Sequence, residues 1–193
     1  MKNIVVFCGS SSGTDPLFEE QAYLLGTALA EQKITLIYGG SKLGLMGKLA
    51  DGVLENNGNV TGVLPYFLQQ KEVAHLGIDR LILVETMLER KEKMNELCDG
   101  VITLPGGYGT LDELFEMLTW AQLGLHKKPI GILNIAGYYD ELIAFFDTMV
   151  NKGLLKPNYR QMVVISNTID DLLEKMRNYE APNVTQWIGK EDI

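Results

Sequence analysis

The chain has 193 residues, of which 46% are hydrophobic and 22% are charged, the balance of an ordinary globular domain with a substantial core. Its formal net charge of −8 argues against a nucleic-acid partner, because affinity for a phosphate backbone requires a basic surface. No apolar run approaches the roughly 20 residues that span a bilayer, so no membrane partner is expected. The apolar N-terminal run is too short for a signal peptide and is predicted to be a buried strand.

The cysteines and histidines favour neither a metal site nor a histidine-based mechanism. Cys8 and Cys98 cannot form a disulfide framework or a four-ligand zinc site, and both are predicted to be buried thiols rather than nucleophiles. His75 and His126 each lack a second ligand nearby in the sequence. We therefore expect no metal, no cofactor and a cytoplasmic location.

Short apolar strands alternate with longer helical patterns along the chain. Strands are predicted at residues 3–7, 34–38, 60–64, 81–84, 100–104, 130–133 and 162–165. Helices are predicted at residues 16–32, 45–56, 87–97, 110–123, 139–151 and 169–179, the first capped by Thr14 or Asp15. This alternation predicts a single doubly wound α/β domain at residues 1–180, with a parallel sheet of about seven strands, and a polar tail at residues 181–193.

Three of the strand-to-helix turns are rich in glycine, at residues 7–13, 38–47 and 105–110. None has the spacing of a dinucleotide fingerprint or of a P-loop, which disfavours a dehydrogenase or an ATPase. One such turn is more often purely structural than functional. Three at the carboxyl edge of one sheet, where doubly wound folds bind ligands, favour a shared anionic ligand.

The third turn leads into a helix predicted to begin at Thr110, and Glu113 follows one turn later. A helix start offers free N–H groups and a positive dipole end to a phosphate, so the segment suits hydrolysis of a phosphorylated sugar derivative. The alternative is a capping box, in which Thr110 and Glu113 each bond the other's backbone N–H. The two roles do not exclude each other.

Arg90 and Lys91 lie in the first turns of the helix that follows the fourth predicted strand. They form either an exposed helix face of mixed charge or a pair of cations for an anion at the ligand-binding edge. The spacing alone leaves both interpretations open.

The motif Pro105-Gly106-Gly107-Tyr108-Gly109-Thr110-Leu111-Asp112-Glu113, with Arg90-Lys91 upstream, resembles the cytokinin-activating phosphoribohydrolases, often called the "lonely guy" family. The resemblance extends over nearly the whole chain. It includes the opening Cys8-Gly9-Ser10-Ser11, the second glycine turn and the segment Thr119-Trp120-Ala121-Gln122-Leu123-Gly124.

The resemblance implies a Rossmann-like homodimer that cleaves the N-glycosidic bond of AMP or of N6-modified nucleoside 5′-monophosphates. Free base and ribose 5-phosphate would be the products. It implies Arg90 and Glu113 as the catalytic pair. The substrate contacts it implies are Lys91, Gly106, Gly107, Tyr108, Gly109, Thr110, Thr119 and Glu72. Residues 69–75 around Glu72 depart from the pattern of the plant members.

Cleavage of a base from ribose builds positive charge on the sugar, and an ionised Glu113 can stabilise that charge or activate water. Arg90 can anchor the phosphate or orient Glu113, and the sequence leaves both roles open. The same turns would also serve a nucleotide-sensing module without catalysis. Many relatives are labelled lysine decarboxylases, but no lysine here is marked as the Schiff-base partner of a pyridoxal cofactor.

Overall fold

Seven parallel strands form the sheet at the centre of the molecule. The computed structural model describes residues 1–69 and 74–184. The strands are β1 (Asn3–Phe7), β2 (Thr35–Tyr38), β3 (Val60–Pro65), β4 (Arg80–Val84), β5 (Gly100–Thr103), β6 (Ile130–Leu133) and β7 (Val163–Ser166). The predicted α/β class with seven parallel strands is confirmed.

Eight α-helices connect or flank these strands within the described part of the chain. They are α1 (Pro16–Glu31), α2 (Gly44–Glu55), α3 (Tyr66–Gln69), α4 (Met87–Leu97), α5 (Tyr108–Gln122), α6 (Asp140–Asn151), α7 (Pro157–Arg160) and α8 (Ile169–Arg177). None of the described helices combines the length and the apolar character that crossing a bilayer demands.

The strand order is β4-β3-β2-β1-β5-β6-β7, so the chain builds outwards from β1 in one direction and then restarts beside β1 with β5. The order reverses between β1 and β5. In doubly wound sheets this switch point opens a crevice beyond the carboxyl ends of the two strands. The turns that leave β1 and β5 are therefore the expected place for a ligand.

Helices cover both faces of the sheet, because successive strand residues point to opposite sides. Ile4 and Val6 of β1 pack with the helix core on one face, whereas Val5 and Phe7 belong to the core on the other face. The first core includes residues of α1, α2 and α8, and the second includes residues of α4, α5 and α6. The central strands β1 and β5 are largely apolar because helices cover both faces of the sheet there.

All predicted strands and long helices are present, with ends that differ by at most two residues. Asp15 caps α1, since its Oδ1 accepts from the N–H of Leu17 at 2.9 Å. The short helices α3 and α7 were not predicted, because four residues carry too little periodicity to detect. The boundary between a domain of residues 1–180 and a tail of residues 181–193 stays a prediction, since residues 185–193 lie outside the described part.

Helices α1 and α2 pack at very short range through two glycines. A Cβ added to Gly26 would collide with the carbonyl oxygen of Leu49, and one added to Gly52 would collide with that of Tyr23. Both obstacles are backbone atoms, which cannot move aside as a flexible side chain can. The close approach of these helices therefore depends on the two glycines.

We expect Gly26→Ala to destabilise the fold by about 1–3 kcal/mol, because overpacking against backbone forces the two helices apart. Gly109→Ala in α5 is the matched control, since a Cβ there meets no atom within 4 Å. Alanine is the better helix former, so this control should be neutral or slightly stabilising. Urea unfolding of both variants measures the difference, and equal stabilities would contradict the packing argument.

Candidate active site

The three glycine-rich turns meet at the carboxyl edge of the sheet, as predicted. The N–H of Gly9 donates to the carbonyl of Pro105 at 3.0 Å, which joins the turns that follow β1 and β5. Gly44 has a φ of 58° and lies against the backbone of Ser10, where a Cβ would collide. The second turn therefore packs directly on the first, and the three turns form one continuous surface.

A cavity of about 270 Å³ lies between these turns and contains the predicted catalytic pair. The described residues that line it are Cys8, Gly9, Ser10, Met46, Leu68, Met87, Arg90, Gly107, Gly109, Thr110, Asp112 and Glu113. A second cavity of about 320 Å³ adjoins it, shares three of those residues and is bordered by Phe18 and Tyr138. Wider surface grooves of about 560 and 660 Å³ exist elsewhere, but the described residues that line them include no such pairing of a buried carboxylate with a buried guanidinium.

Helix α5 begins earlier than predicted, which overturns the capping-box interpretation. Its first residue is Tyr108 and its N-cap is Gly107, which has no side chain to bond the first amides. Thr110 is the third helical residue, and its side chain lies against the Cα of Gly106. Because Thr110 lies inside the first turn, its hydroxyl does not cap the helix, and the predicted start at this residue is wrong.

Gly107 and Gly109 keep the space in front of α5 open. A Cβ added to either would meet no atom within 4 Å, and Gly107 has an ordinary φ of −94°. Neither packing nor backbone strain therefore requires glycine at these positions. What their missing side chains provide is free approach to the first N–H groups of α5, where the helix dipole attracts an anion. The side chain of Tyr108 is 94% exposed.

Arg90 is turned into the molecule rather than towards solvent, so an exposed face of mixed charge is the wrong interpretation for this residue. Only 4% of its surface is exposed. Its Nε donates to the carbonyl of Val63 at 3.1 Å, and its Nη2 donates to the carbonyl of Gly39 at 3.0 Å. Gly39 must lack a side chain, since a Cβ there would collide with the guanidinium. The ends of β2 and β3 thus hold this cation in place.

Lys91 makes two ion pairs and does not line the cavity in this structure. Its Nζ lies 3.2 Å from Oδ2 of Asp112 and 2.9 Å from Oε1 of Glu116. Burial by itself lowers the pKa of Lys91. The bonds to these two carboxylates raise the pKa by more than burial lowers it, so the net shift is upward. The charge of Lys91 is therefore used to fix α4 against α5.

Two further predicted binding residues lie outside this arrangement. The Oγ1 of Thr119 donates to the carbonyl of Phe115 at 2.7 Å, and Thr119 lines a separate apolar groove of about 290 Å³ between α5, α6 and α7. Glu72 falls within residues 70–73, which lie outside the described part of the chain. Their substrate contacts stay predictions.

Glu113 is a buried carboxyl group with a strongly shifted pKa. Burial raises its pKa to about 7, the positive charge of Arg90 opposes that rise, and the negative charge of Asp112 adds to it. Within the described residues Glu113 forms no ion pair, so Arg90 acts on it through space. At neutral pH the carboxyl is therefore divided between its protonated and ionised forms, as a general acid or base requires.

Cys8 contributes a buried thiol to the same cavity. Burial, followed by the negative charge of Glu113, raises the pKa of Cys8 above its ordinary value, so the thiol stays protonated. This agrees with the prediction of an unreactive thiol. Among the described residues, no group of three His, Cys, Asp or Glu side chains could hold a metal ion.

Sequence reasoning missed the apolar wall of the cavity, formed by Met46, Leu68 and Met87. It also missed Tyr138, which borders the adjoining cavity and donates from Oη to the carbonyl of Gly106 at 2.8 Å. The one available signal was the pair of tyrosines directly after Gly137. Adjacent aromatic residues at a strand-to-helix connection did not by themselves indicate a contact with another turn.

The chain resembles known proteins over most of its length. Residues 46–176 match the family model described as "Possible lysine decarboxylase". The chain is 44% identical to the cytokinin riboside 5′-monophosphate phosphoribohydrolase LOG7 of Arabidopsis thaliana, over 93% of this chain and 82% of that protein. It is 45% identical to the probable cytokinin riboside 5′-monophosphate phosphoribohydrolase LOGL1 of Oryza sativa subsp. japonica, over 95% and 85% of the two chains.

Solved structures share the fold at lower identity. The molybdenum cofactor binding protein of Rippkaea orientalis matches with a TM-score of 0.69 and 23% identity, over 92% of this chain and 97% of that one. The molybdenum cofactor carrier protein of Chlamydomonas reinhardtii matches with a TM-score of 0.69 and 22% identity, over 91% and 96%. At this identity the likeness establishes the fold alone.

The raised pKa of Glu113 makes stability depend on pH. The unfolded chain releases this proton near 4.5 and the folded chain near 7, so the folded state binds more protons between these values. Its stability should therefore fall as the pH rises through that window, by about 3 kcal/mol. Glu113→Gln has no carboxyl group to titrate and so lacks this loss. The free energy of unfolding of the variant, relative to that of the wild type, should therefore increase with pH.

Urea unfolding at pH values below and above this window measures the effect. Glu96→Gln is the control, because the Glu96 carboxylate is 63% exposed and its removal should change stability little at either pH. A constant difference between wild type and Glu113→Gln at all pH values would show that Glu113 titrates normally.

Proposed function

The chain belongs to the family of cytokinin riboside 5′-monophosphate phosphoribohydrolases, and from this we infer that it hydrolyses the N-glycosidic bond of AMP or of N6-modified nucleoside 5′-monophosphates. The products are the free base and ribose 5-phosphate. The observation that carries this conclusion is a buried Glu113 beside a fixed Arg90, in the second turn of a helix whose start is open.

We propose that the 5′-phosphate binds at the start of α5. The free amides of the first turn and the positive end of the helix dipole attract its negative charge. Gly107 and Gly109 leave space for its oxygens. Glu113 lies four residues beyond Gly109, about 6 Å along the helix axis. A ribose held by its phosphate can therefore place its anomeric carbon beside the carboxylate, so remote binding positions the reacting bond.

Glu113 is proposed to act in its ionised form. As the bond to the base breaks, positive charge develops on the sugar, and a nearby carboxylate stabilises it. The same carboxylate can accept the proton of the attacking water, a role that suits a pKa of about 7. The apolar wall of Met46, Leu68 and Met87 limits water around this group and strengthens the interaction.

Arg90 is proposed to orient and ionise Glu113 rather than to anchor the phosphate. Two backbone carbonyls hold its guanidinium, so the side chain is not free to follow a ligand. From that fixed place it lowers the pKa of Glu113 against the effect of burial. The predicted substrate contact of Lys91 would require its ion pairs with Asp112 and Glu116 to open.

The decarboxylase description of the family model gains no support from the lining of this cavity. A pyridoxal cofactor is held through a Schiff-base lysine, and no lysine occurs among the described residues that line the cavity. The same residues do supply what glycosidic hydrolysis needs, namely an ionisable carboxyl group, a cation and a seat for an anion.

We propose that the chain forms a homodimer through the apolar groove between α5, α6 and α7. Phe115 and Leu154 line this groove and are exposed at 37% and 85%. Exposed apolar groups of this size in one region are typical of an interface. Thr119 would then lie at the contact between subunits. The two free thiols support a cytoplasmic location.

AMP should yield adenine and ribose 5-phosphate, while adenosine should yield little adenine, because it lacks the group that binds at α5. Glu113→Gln should lower kcat for AMP by at least about a hundredfold, since it removes the only ionisable group of the proposed chemistry. Chromatography of the products from a panel of monophosphates and their nucleosides measures both effects.

Three outcomes would contradict this assignment. Equal rates with AMP and adenosine would remove the phosphate seat. Full activity of Glu113→Gln would remove the proposed role of the carboxylate. Tight binding of AMP by calorimetry, with no product after long incubation, would favour a nucleotide-sensing module.

Leu154→Glu should convert the proposed dimer into a monomer, because it places a charge in the apolar groove at a position too exposed to matter for folding. Leu76→Glu is the matched control, since Leu76 is 89% exposed and lies outside that groove. Sedimentation velocity gives the mass of each variant. A wild type that sediments as a monomer would contradict the interface.

A further inference from the structure

Three consecutive carbonyls in the turn between β5 and α5 are each bonded to a donor from another part of the chain. The carbonyl of Leu104 accepts from Oη of Tyr139 at 2.8 Å, and that of Gly106 accepts from Oη of Tyr138 at 2.8 Å. Between them, Pro105 accepts from the N–H of Gly9 at 3.0 Å. Each of these three carbonyl oxygens therefore already accepts a hydrogen bond from within the protein.

A tight connection after β6 places the two tyrosines side by side over this turn. Ala136 and Gly137 have φ values of 51° and 72°, which reverse the chain between Asn134 and Tyr138. Asn134 fixes the reversal, because its Oδ1 accepts from the N–H of Tyr139 at 2.8 Å. The ring of Tyr138 then packs edge-on against Phe18 and Tyr139, with centroids 5.5 and 4.8 Å away.

The hydrogen bond of Tyr138 also sets the direction of an amide. In a trans peptide the C=O and the following N–H point in opposite directions, and the described residues contain no cis bond. Tyr138 holds the carbonyl of Gly106, so the N–H of Gly107 must point away from Tyr138. The bond of Tyr139 directs no amide, because the residue after Leu104 is Pro105, which has no N–H.

We propose that Tyr138 is a positioning residue for the phosphate of the substrate. It touches no reacting atom. Through the carbonyl of Gly106 it holds the N–H of Gly107 in the direction that an anion at the start of α5 requires. This inference rests on the proposed function, since it assumes that the phosphate binds at that helix start.

Tyr138→Phe and Tyr139→Phe each remove one phenolic oxygen, from neighbouring residues. Comparison of the two variants separates an effect on the Gly107 amide from an effect on stability alone. Calorimetry with ribose 5-phosphate should give an affinity about tenfold weaker for Tyr138→Phe, and KM for AMP should rise by a similar factor with kcat unchanged within twofold. Tyr139→Phe should keep both values within twofold. It should instead lower stability to urea, because the buried carbonyl of Leu104 loses its donor.

A second measurement tests the amide directly. In ¹⁵N-resolved NMR, inorganic phosphate should shift the Gly107 signal of the wild type strongly and that of Tyr138→Phe weakly, while the rest of the spectrum shows that the variant is folded. Equal affinity for ribose 5-phosphate in wild type and Tyr138→Phe would overturn the role of Tyr138 alone. A wild type that neither binds ribose 5-phosphate nor cleaves AMP would overturn the proposed function instead.

Discussion

The site depends on the close approach of three backbone turns at the switch point of the sheet. The bond from Gly9 to Pro105 joins the turns of β1 and β5, and Gly44 brings the second turn against Ser10. At Gly44 this arrangement leaves no room for a side chain, because a Cβ there would collide with the backbone of Ser10. The cavity is bounded on one side by the backbone of these turns and on the other by the side chains of Met46, Leu68 and Met87. A backbone wall is rigid, and rigid donors are what electrostatic binding of an anion needs.

Of the buried pair Arg90 and Glu113, the fold provides hydrogen-bond partners within the described residues for only one. Arg90 has hydrogen bonds to two carbonyls, which offset the cost of removing it from water. Glu113 has no such partner within the described residues, and its pKa rises as a result. The energetic penalty is thus concentrated on Glu113, the group that we propose to move a proton in the reaction. A site of this kind exchanges stability for reactivity at one residue, while the buried guanidinium beside that residue keeps its hydrogen-bond partners.

The sequence predicted features that have a single physical cause, such as burial of a strand on both faces. It did not predict features that depend on where a helix begins or on the direction in which a side chain points. Apolar periodicity predicted the strands and long helices because burial on both faces leaves few alternatives. The glycine turns predicted a site at the carboxyl edge of the sheet, where the structure brings the three turns together, and ligand binding there stays a prediction. The pattern of Thr110 and Glu113 matched a capping box, yet the glycines let α5 begin earlier, at Tyr108. Side-chain direction also separated Arg90 from Lys91, since neighbouring helix residues point 100° apart. Tyr138 was missed because its contact joins turns 32 residues apart.

An acidic chain that binds a phosphate needs a local source of positive potential, and the fold limits which groups can provide it. Arg90 is held by carbonyls and Lys91 is paired with two carboxylates, so in our proposal neither side chain anchors the phosphate. Among the described residues that line the cavity, what remains is the start of α5, with an amide directed by a bond on its opposite side. Dipoles fixed in this way add no net charge and require no reorganisation when the ligand arrives. On the proposed function, therefore, attraction for the substrate comes from the orientation of peptide groups, and the side-chain charges are left for the chemistry.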